Sequence, residues 1–184
     1  GACKGHDGQV GLFCVGDGET YNVPVEMAET RYGIRVDEHS LHTDGAGAGE
    51  YRGGRGAVRV YRSMNENQTF TASFGRNKWP VWGAAGGKDG SVNYFQFIDA
   101  DGTVSEPMGI AARRVMNTND VVRMVTATGG GYGNPFKRPA EKVAMDVKNE
   151  YITVEQAKAD YGVLVDPETF KVLGLTEERQ KAEK

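Results

Sequence analysis

Glycine is the residue type that most constrains how this chain can fold. The sequence holds 26 glycines among 184 residues, about twice the usual share. They are concentrated in three clusters, at residues 45–56, 83–90 and 129–133. Because glycine weakens helix interiors and is common in turns and at close approaches of the main chain, this distribution favours a turn-rich β protein.

Short runs rich in β-branched and aromatic residues alternate with the glycine clusters. Residues 33–39 and 69–74 alternate in polarity, as strands with one buried face do. Six runs are predicted to be strands: 9–15, 33–39, 57–62, 69–74, 92–98 and 121–126. The lack of long helical stripes among them argues against alternating βαβ units. The predicted fold is therefore mainly β with a C-terminal helical tail (α+β), its sheet an antiparallel sandwich or barrel-like.

Helical signals are found once inside the β region and again near the end of the chain. Residues 25–32 follow Pro24 and include several helix formers, which predicts one short helix. After Asn134-Pro135 the pattern changes, and Thr153 with Gln156 forms a capping box, a signature of a helix start. Helices are predicted at 140–147, from 154 to about 160, and from 176.

This change of pattern divides the chain in two. We assign residues 1–136 to a β-rich domain and residues 137–184 to a helical tail. The last predicted helix is nearly all polar, so we expect it to be solvated or frayed.

Charge and hydropathy argue against several classes of partner. The net charge is −3 and the isoelectric point is about 5.7, so the basic footprint of nucleic-acid-binding proteins is missing. No apolar run approaches the roughly 20 residues of a membrane helix, and the first residues lack the apolar stretch of a signal peptide. Cys3 and Cys14 are too few for a disulfide framework and lack the spacing of metal ligands. We expect a cytoplasmic protein that binds neither nucleic acid nor membranes.

Motifs for metal, nucleotide or nucleophile chemistry are weak. His39 and His42 are three residues apart and would point to opposite faces of a strand, so we predict no metal site. The run 128–133 is rich in glycine but lacks the lysine and the following helix of a phosphate-binding loop. We interpret this run as a tight passage of main chain.

Two groups of side chains are candidates for contacts. The stretch 52–62 carries four arginines and no acidic residue, and we interpret it as a solvated edge. Contact of Arg52 with a carboxylate or an interface is the alternative. Trp79 and Trp82 are predicted to close the core, with a subunit contact as the alternative.

Four spaced motifs together resemble the hydantoinase B/oxoprolinase family. In order they are Asn-Val-Pro-Val-Glu at 22–26 with Glu29 and Arg31-Tyr32, the run 45–54, Pro-Val-Trp-Gly at 80–83 with Gly86-Gly87, and residues 128–135. Asp146-Val147 and the segments 152–157 and 160–163 are similar to the closing signature of these subunits. The resemblance covers nearly the whole chain, but this corresponds to the C-terminal third of a typical member.

This resemblance implies a function within a multi-subunit complex. B-type subunits of the family pair with a hydantoinase A-type subunit that binds ATP and phosphorylates the substrate. We therefore expect ATP and Mg on a partner subunit and no cofactor on this chain. The implied reaction is ATP-dependent opening of a cyclic amide through a phosphorylated intermediate. A subunit of a related ketone carboxylase, of the acetone or acetophenone type, and a purely structural assembly subunit are the alternatives.

The resemblance also implies which partners complete the site. They are the A-type subunit, the upstream part of the B-type subunit, which would hold any metal, and a small-molecule substrate. Whether the chain is a C-terminal portion of a B-type subunit or a natural small split subunit stays open. The isolated chain is expected to be inactive.

Candidate site residues fall into two groups. Glu26, Glu29 and Arg52 are candidates for contact with a substrate or a partner subunit, although we expect Glu26 mainly to hold structure at a helix start. The second group is expected to hold the structure of the motifs: Asn22, Gly53, Gly54, Gly129, Gly130 and Gly131. Replacing any of the three consecutive glycines is expected to be poorly tolerated.

Overall fold

The computed structural model describes residues 1–11, 23–42 and 45–182. Asn22, Cys14 and part of the predicted strand at 9–15 lie outside these residues. The described strands are β1 (Ile34–Leu41), β2 (Ala57–Ser63), β3 (Gln68–Ser73), β4 (Tyr94–Ile98), β5 (Ile110–Met116), β6 (Val121–Val125), β7 (Val163–Val165) and β8 (Val172–Leu175). The described helices are α1 (Val25–Tyr32), α2 (Ala140–Lys148), α3 (Val154–Tyr161) and α4 (Glu177–Ala182), with a 3-10 turn at Pro135–Lys137.

The strands form three antiparallel sheets. A four-stranded sheet has the order β1-β2-β6-β4, and β3-β5 and β7-β8 form separate pairs. Together with the C-terminal helices this confirms the mainly β, α+β prediction. Five predicted strands are confirmed to within a few residues, whereas residues 9–11 are not a strand.

Three described strands were not predicted. The sequence of β5 contains two alanines and two arginines, which favour helix, and pairing with β3 overrides that preference. The strands β7 and β8 have three and four residues, too few to show an alternating pattern. The predicted helical tail therefore also contains a short hairpin.

One face of the four-stranded sheet packs against the β3-β5 pair through phenylalanine rings. Phe70 lies edge-on to Phe95 and Phe97, with ring centroids 5.5 and 5.4 Å apart, and Phe74 lies edge-on to Phe95 at 5.5 Å. Such edge-to-face pairs add to the stabilisation from burial. We call these four residues the aromatic cluster.

The tail has its own apolar core, formed by α2, α3, β7 and Ala48 from the glycine-rich run. The capping box is confirmed, since Thr153 Oγ1 accepts from Gln156 N at 3.1 Å and Gln156 Oε1 accepts from Thr153 N at 2.9 Å. The helix α4 is not simply solvated, because Arg179 is buried and donates to the carbonyl oxygens of Tyr161 and Arg138. The boundary at residue 136 stays a prediction.

The prediction that Trp79 and Trp82 enter the core is wrong. The two residues are 76% and 69% exposed. The main chain of Trp82 is turned inward, with its carbonyl facing Gly130, so the indole is left outside. The guanidinium carbon of Arg76 lies 4.8 Å from the centre of that indole ring. In the part of the chain described here, no helix is both long enough and apolar enough to cross a membrane.

Candidate functional site

The three glycine clusters come together in one place. Segments 1–9, 45–56, 81–91 and 126–134 run side by side and exchange main-chain hydrogen bonds. Gly47 N donates to Gly129 O at 2.9 Å, Gly129 N donates to Gly54 O at 2.8 Å, and Gly131 N donates to Lys88 O at 3.0 Å. We call these four segments the glycine assembly.

Main-chain atoms occupy the places where side chains would stand in the glycine assembly. A Cβ on Gly53 would lie 1.9 Å from Gly129 O, and one on Gly54 would lie 2.0 Å from Gln9 O. A Cβ on Gly130 or Gly131 would lie 2.2 or 2.3 Å from a carbonyl oxygen, while one on Gly129 would lie 2.9 Å from an α-carbon. The segments therefore approach each other as closely as they do because these residues lack side chains.

A buried group of charged side chains joins the glycine assembly to the tail. The Arg138 guanidinium donates to both carboxylate oxygens of Asp7, at 2.8 and 2.9 Å, and through Nε to Asp146 Oδ2 at 2.9 Å. Its Nη1 also donates to the carbonyl of Glu50 at 3.0 Å. Arg138 and Asp146 are almost fully buried. Asp7, Arg52, Arg138 and Asp146 are the arginine network.

Arg52 belongs to this network and is buried, so its interpretation as part of a solvated edge is wrong. Its Nε lies 3.4 Å from Asp146 Oδ1, and its Nη1 donates to Gly53 O at 3.1 Å. The guanidinium carbon lies 4.0 Å from the centre of the Tyr151 ring. A buried carboxylate offsets the desolvation of this guanidinium, which explains why it leaves the surface.

Burial and ion pairing act in opposite directions on the two carboxylates. Burial tends to raise the pKa of Asp7, but the Arg138 guanidinium and the Arg52 amide bring that pKa below its usual value. At Asp146 burial dominates and the pKa is raised in spite of Arg138 and Arg52. The network thus pairs two guanidiniums with two carboxylates from different segments, as a structural connection between segments does.

Glu26 and Glu29 lie apart from Arg52, on the exposed side of α1. Glu26 is in the first turn, where a negative charge favours the helix. Glu29 Oε1 accepts from Val36 N at 3.0 Å and so attaches α1 to β1. Among the described residues no hydrogen bond or ion pair joins either glutamate to Arg52. The role of these three residues as contacts for a substrate or a partner subunit stays a prediction.

A cavity of about 650 Å³ lies between α1 and the four-stranded sheet. Its walls are mostly apolar and include Val25, Tyr32, Ile34 and Phe70, whereas Glu26 and Glu29 do not line it.

Within the described ranges no three His, Cys, Asp or Glu side chains are grouped so as to hold a metal ion. His39 is exposed and His42 is buried.

Residues 1–135, which carry most of the glycine assembly, match the sequence profile of the hydantoinase B/oxoprolinase family. The chain belongs to this family. It is 31% identical over 169 residues to the putative D-/L-hydantoinase B-type subunit of Pseudomonas sp. (strain NS671), an alignment that covers 90% of this chain and 28% of the relative. It is 30% identical over 184 residues to the beta subunit of the caprolactamase of Pseudomonas jessenii, covering 90% of this chain and 29% of the relative.

Two solved structures share the fold. The chain matches the ATP-dependent caprolactamase of Pseudomonas jessenii with a TM-score of 0.67 and 28% identity, covering 86% of this chain and 27% of that one. It matches nucleotide-free acetone carboxylase with a TM-score of 0.76 and 18% identity, covering 99% and 28%. The chain therefore spans less than a third of the length of the relatives it matches.

The family motifs explain the glycine assembly, and the arginine network was not predicted from them. Arg138 and Asp146 follow the matched region of the hydantoinase B/oxoprolinase profile, whereas Asp7 and Arg52 lie within it. One signal could have found Asp146: the position lies on the buried face of α2 beside Val143 and Val147. A charged residue on an apolar helix face requires a buried partner.

Proposed function

We propose that this chain is part of a B-type subunit in an ATP-dependent enzyme that opens cyclic amides. The observation that carries the proposal is the likeness to caprolactamase, which holds both in sequence, for its beta subunit, and in fold. The relatives are named as subunits of enzymes, and this chain corresponds to less than a third of each. Activity is therefore proposed for the complete multi-subunit enzyme and not for these residues alone.

The likeness to acetone carboxylase supports the shared fold, since the identity is 18%. Cyclic-amide hydrolysis is favoured because the hydantoinase and caprolactamase relatives reach 30% identity or more over 90% of the chain. Ketone carboxylation is the second candidate.

The proposed role of the described residues within that enzyme is to shape and hold the subunit. Arg52 and Glu29 are engaged in internal contacts, and Asp146 and Arg138 have little access to solvent. ATP and Mg are proposed to bind an A-type partner subunit, and any metal to bind the part of the B-type subunit that lies upstream in the relatives.

The proposed reaction proceeds in three balanced steps. The carbonyl oxygen of the cyclic amide attacks the γ-phosphorus of ATP and ADP leaves. Water adds to the activated carbon, and the ring C–N bond breaks with protonation of the amine, which gives an acyl phosphate. A second water attacks the carbonyl carbon and releases phosphate together with the open-chain carboxylate.

Assays of the complete assembly test this proposal. The multi-subunit enzyme is purified through a tag on this chain. It is incubated with ATP and hydantoin, 5-oxoproline or caprolactam, and in a separate reaction with ATP, acetone and bicarbonate. We expect opening of at least one ring with formation of ADP. ATP-dependent consumption of acetone with no ring opening would overturn the proposal and favour the carboxylase.

A variant pair tests the candidate glutamates in the same assay. Glu26→Gln is expected to keep ring-opening activity, since Glu26 serves the first turn of α1. Glu29→Gln keeps an acceptor for Val36 N and is likewise expected to keep ring-opening activity. Loss of turnover in Glu26→Gln, in an assembly that still forms, would show instead that Glu26 contacts the substrate.

A further inference from the structure

A second cavity, of about 810 Å³, lies where the glycine assembly meets β1 and β2. We call it the arginine cavity because Arg55 and Arg59 both line it, together with His39. None of its described lining residues is acidic. A cavity lined by two permanently charged arginines and, within the described residues, by no carboxylate attracts anions.

Arg55 is the unusual member of this lining, because it is buried and no carboxylate of the described residues pairs with it. Its side chain is 9% exposed, and Nε donates to the carbonyl of His42 at 2.9 Å. Its guanidinium carbon lies 5.6 Å from the centre of the Tyr151 ring. Among the described residues no acceptor forms a hydrogen bond with Nη1 or Nη2 of Arg55. A buried guanidinium in this state has donors left for a ligand.

Arg59 adds a second guanidinium to the same cavity. It is half-buried on β2, directly across from His39 on β1, and its Nη1 donates to the hydroxyl oxygen of Tyr61 at 3.1 Å. No described carboxylate pairs with Arg59, in contrast to Arg62 on the same strand, which pairs with Asp37 at 2.6 Å. Two arginines and a histidine therefore line one cavity.

The remaining walls indicate the rest of the ligand. Val10, Leu41, Phe74, Val81 and Met124 line the arginine cavity. Apolar side chains gain little from a bare inorganic anion, whereas they favour a ligand with a hydrocarbon body. Guanidinium groups also match the planar geometry of a carboxylate.

We propose that the arginine cavity binds a small organic acid, with its carboxylate at Arg55 and Arg59 and its hydrocarbon part against the apolar wall. This assignment stands on the cavity and does not require the proposed function. The open-chain products of cyclic-amide hydrolysis belong to the same chemical class.

Calorimetric titration of the full 184-residue chain with hexanoate tests the site. Hexanamide, of the same shape without the charge, and inorganic phosphate, charged without the hydrocarbon, are the comparison ligands. We expect measurable binding of hexanoate and at least about tenfold weaker binding of the other two, as expected when a charged hydrogen bond or the apolar contact is lost. Equal binding of hexanamide, tighter binding of phosphate, or no binding of hexanoate would overturn the proposal.

Three variants complete the test. Arg55→Gln and Arg59→Gln are each expected to weaken hexanoate binding at least about tenfold. Arg59 is half-buried, so its variant keeps the test valid if Arg55→Gln does not fold. Arg123→Gln removes the same charge from β6 without touching the arginine cavity and is expected to bind hexanoate normally. Unchanged binding by Arg59→Gln would overturn the proposal, whereas ring opening by the assembly tests the proposed function separately.

Discussion

In the glycine assembly main-chain atoms of four segments touch each other directly, whereas in the aromatic cluster the contacts are made by side-chain rings. A Cβ at Gly53 would meet a carbonyl oxygen at 1.9 Å, but Phe70 meets its neighbouring rings at ordinary edge-to-face distances. Rings can shift or be replaced by other apolar groups, while a main chain held by hydrogen bonds on both sides cannot yield as easily. The two regions should therefore respond differently to small substitutions.

The arginine network adds a further contrast, since it joins the glycine assembly to the tail by charge. Its four residues come from three parts of the chain, Asp7 and Arg52 from two segments of the glycine assembly and Arg138 with Asp146 from the tail. Removal of Arg138 leaves two carboxylates without their main partner, which costs more than the loss of an exposed ion pair.

The largest effect is expected from Arg138→Met. This change leaves Asp7 and Asp146 without their main partner, and it should lower the free energy of unfolding by about 3–5 kcal/mol. Arg35→Met is the control, because Arg35 is exposed in its ion pair with Asp37. Loss of that pair should lower the free energy of unfolding by about 0–1 kcal/mol. Urea denaturation measures both, and similar losses in the two variants would show that the network is not structural.

A smaller but still large effect is expected at Gly53. Gly53→Ala forces a methyl group against Gly129 O and should destabilise by about 1–3 kcal/mol, as overpacking does. Gly75→Ala is the matched control, since its Cβ would meet no atom within 4 Å. There the restricted unfolded chain should give a gain of about 0.4–1 kcal/mol. The midpoint temperatures of thermal unfolding of the two variants should thus shift in opposite directions. A Gly53→Ala variant as stable as the parent would show that the two regions do not differ in their tolerance of small substitutions.

In the aromatic cluster Phe70→Leu should be tolerated better. Leucine keeps most of the apolar contact and loses the edge-to-face geometry with Phe95 and Phe97, so we expect a loss of about 1–1.5 kcal/mol. Urea denaturation of Phe70→Leu and Gly53→Ala under the same conditions compares their free energies of unfolding. A greater loss at Phe70 than at Gly53 would reverse the comparison.

The smallest expected effect depends on pH and concerns Asp7. Because its folded pKa is lowered, Asp7 contributes stability above its unfolded pKa of about 3.9, and this contribution is lost as the pH falls through the folded pKa. Asp7→Asn should therefore be less stable than the parent at pH 7, and the difference should narrow below about pH 4. Urea midpoints across pH 3–7 measure it, and a constant difference would exclude the Asp7 carboxylate as its source.

The sequence predicted the types of element better than the contacts between them. Five strands and the helix α1 follow from local patterns, and the capping box at Thr153 defines the start of α3. The strand β5 could not be predicted, since its alanines and arginines form a strand only because β3 pairs with it. Glycine clusters indicate close approaches but not which segments approach.

The candidate site was harder to predict for the same reason. Arg52 looked like part of an exposed basic stretch because its compensating carboxylate, Asp146, is 94 residues away in the sequence. Glu26 and Glu29 were candidates for the same kind of contact as Arg52, but among the described residues no hydrogen bond or ion pair joins either glutamate to Arg52. The position of Asp146 on the buried face of α2 indicates that it needs a buried partner, but no local pattern identifies that partner before the chain is folded.

Carbonyl phosphorylation is the central chemical claim of the proposed function, and isotope transfer tests it most directly. The complete assembly is supplied with ATP and a cyclic amide, caprolactam or another ring that it opens, labelled with ¹⁸O at the carbonyl, and the released phosphate is analysed by mass spectrometry. Because the carbonyl oxygen becomes the bridge to phosphorus and the carbon–oxygen bond then breaks, the account predicts phosphate that carries the label. Unlabelled phosphate, with all of the label retained in the open-chain carboxylate, would contradict it.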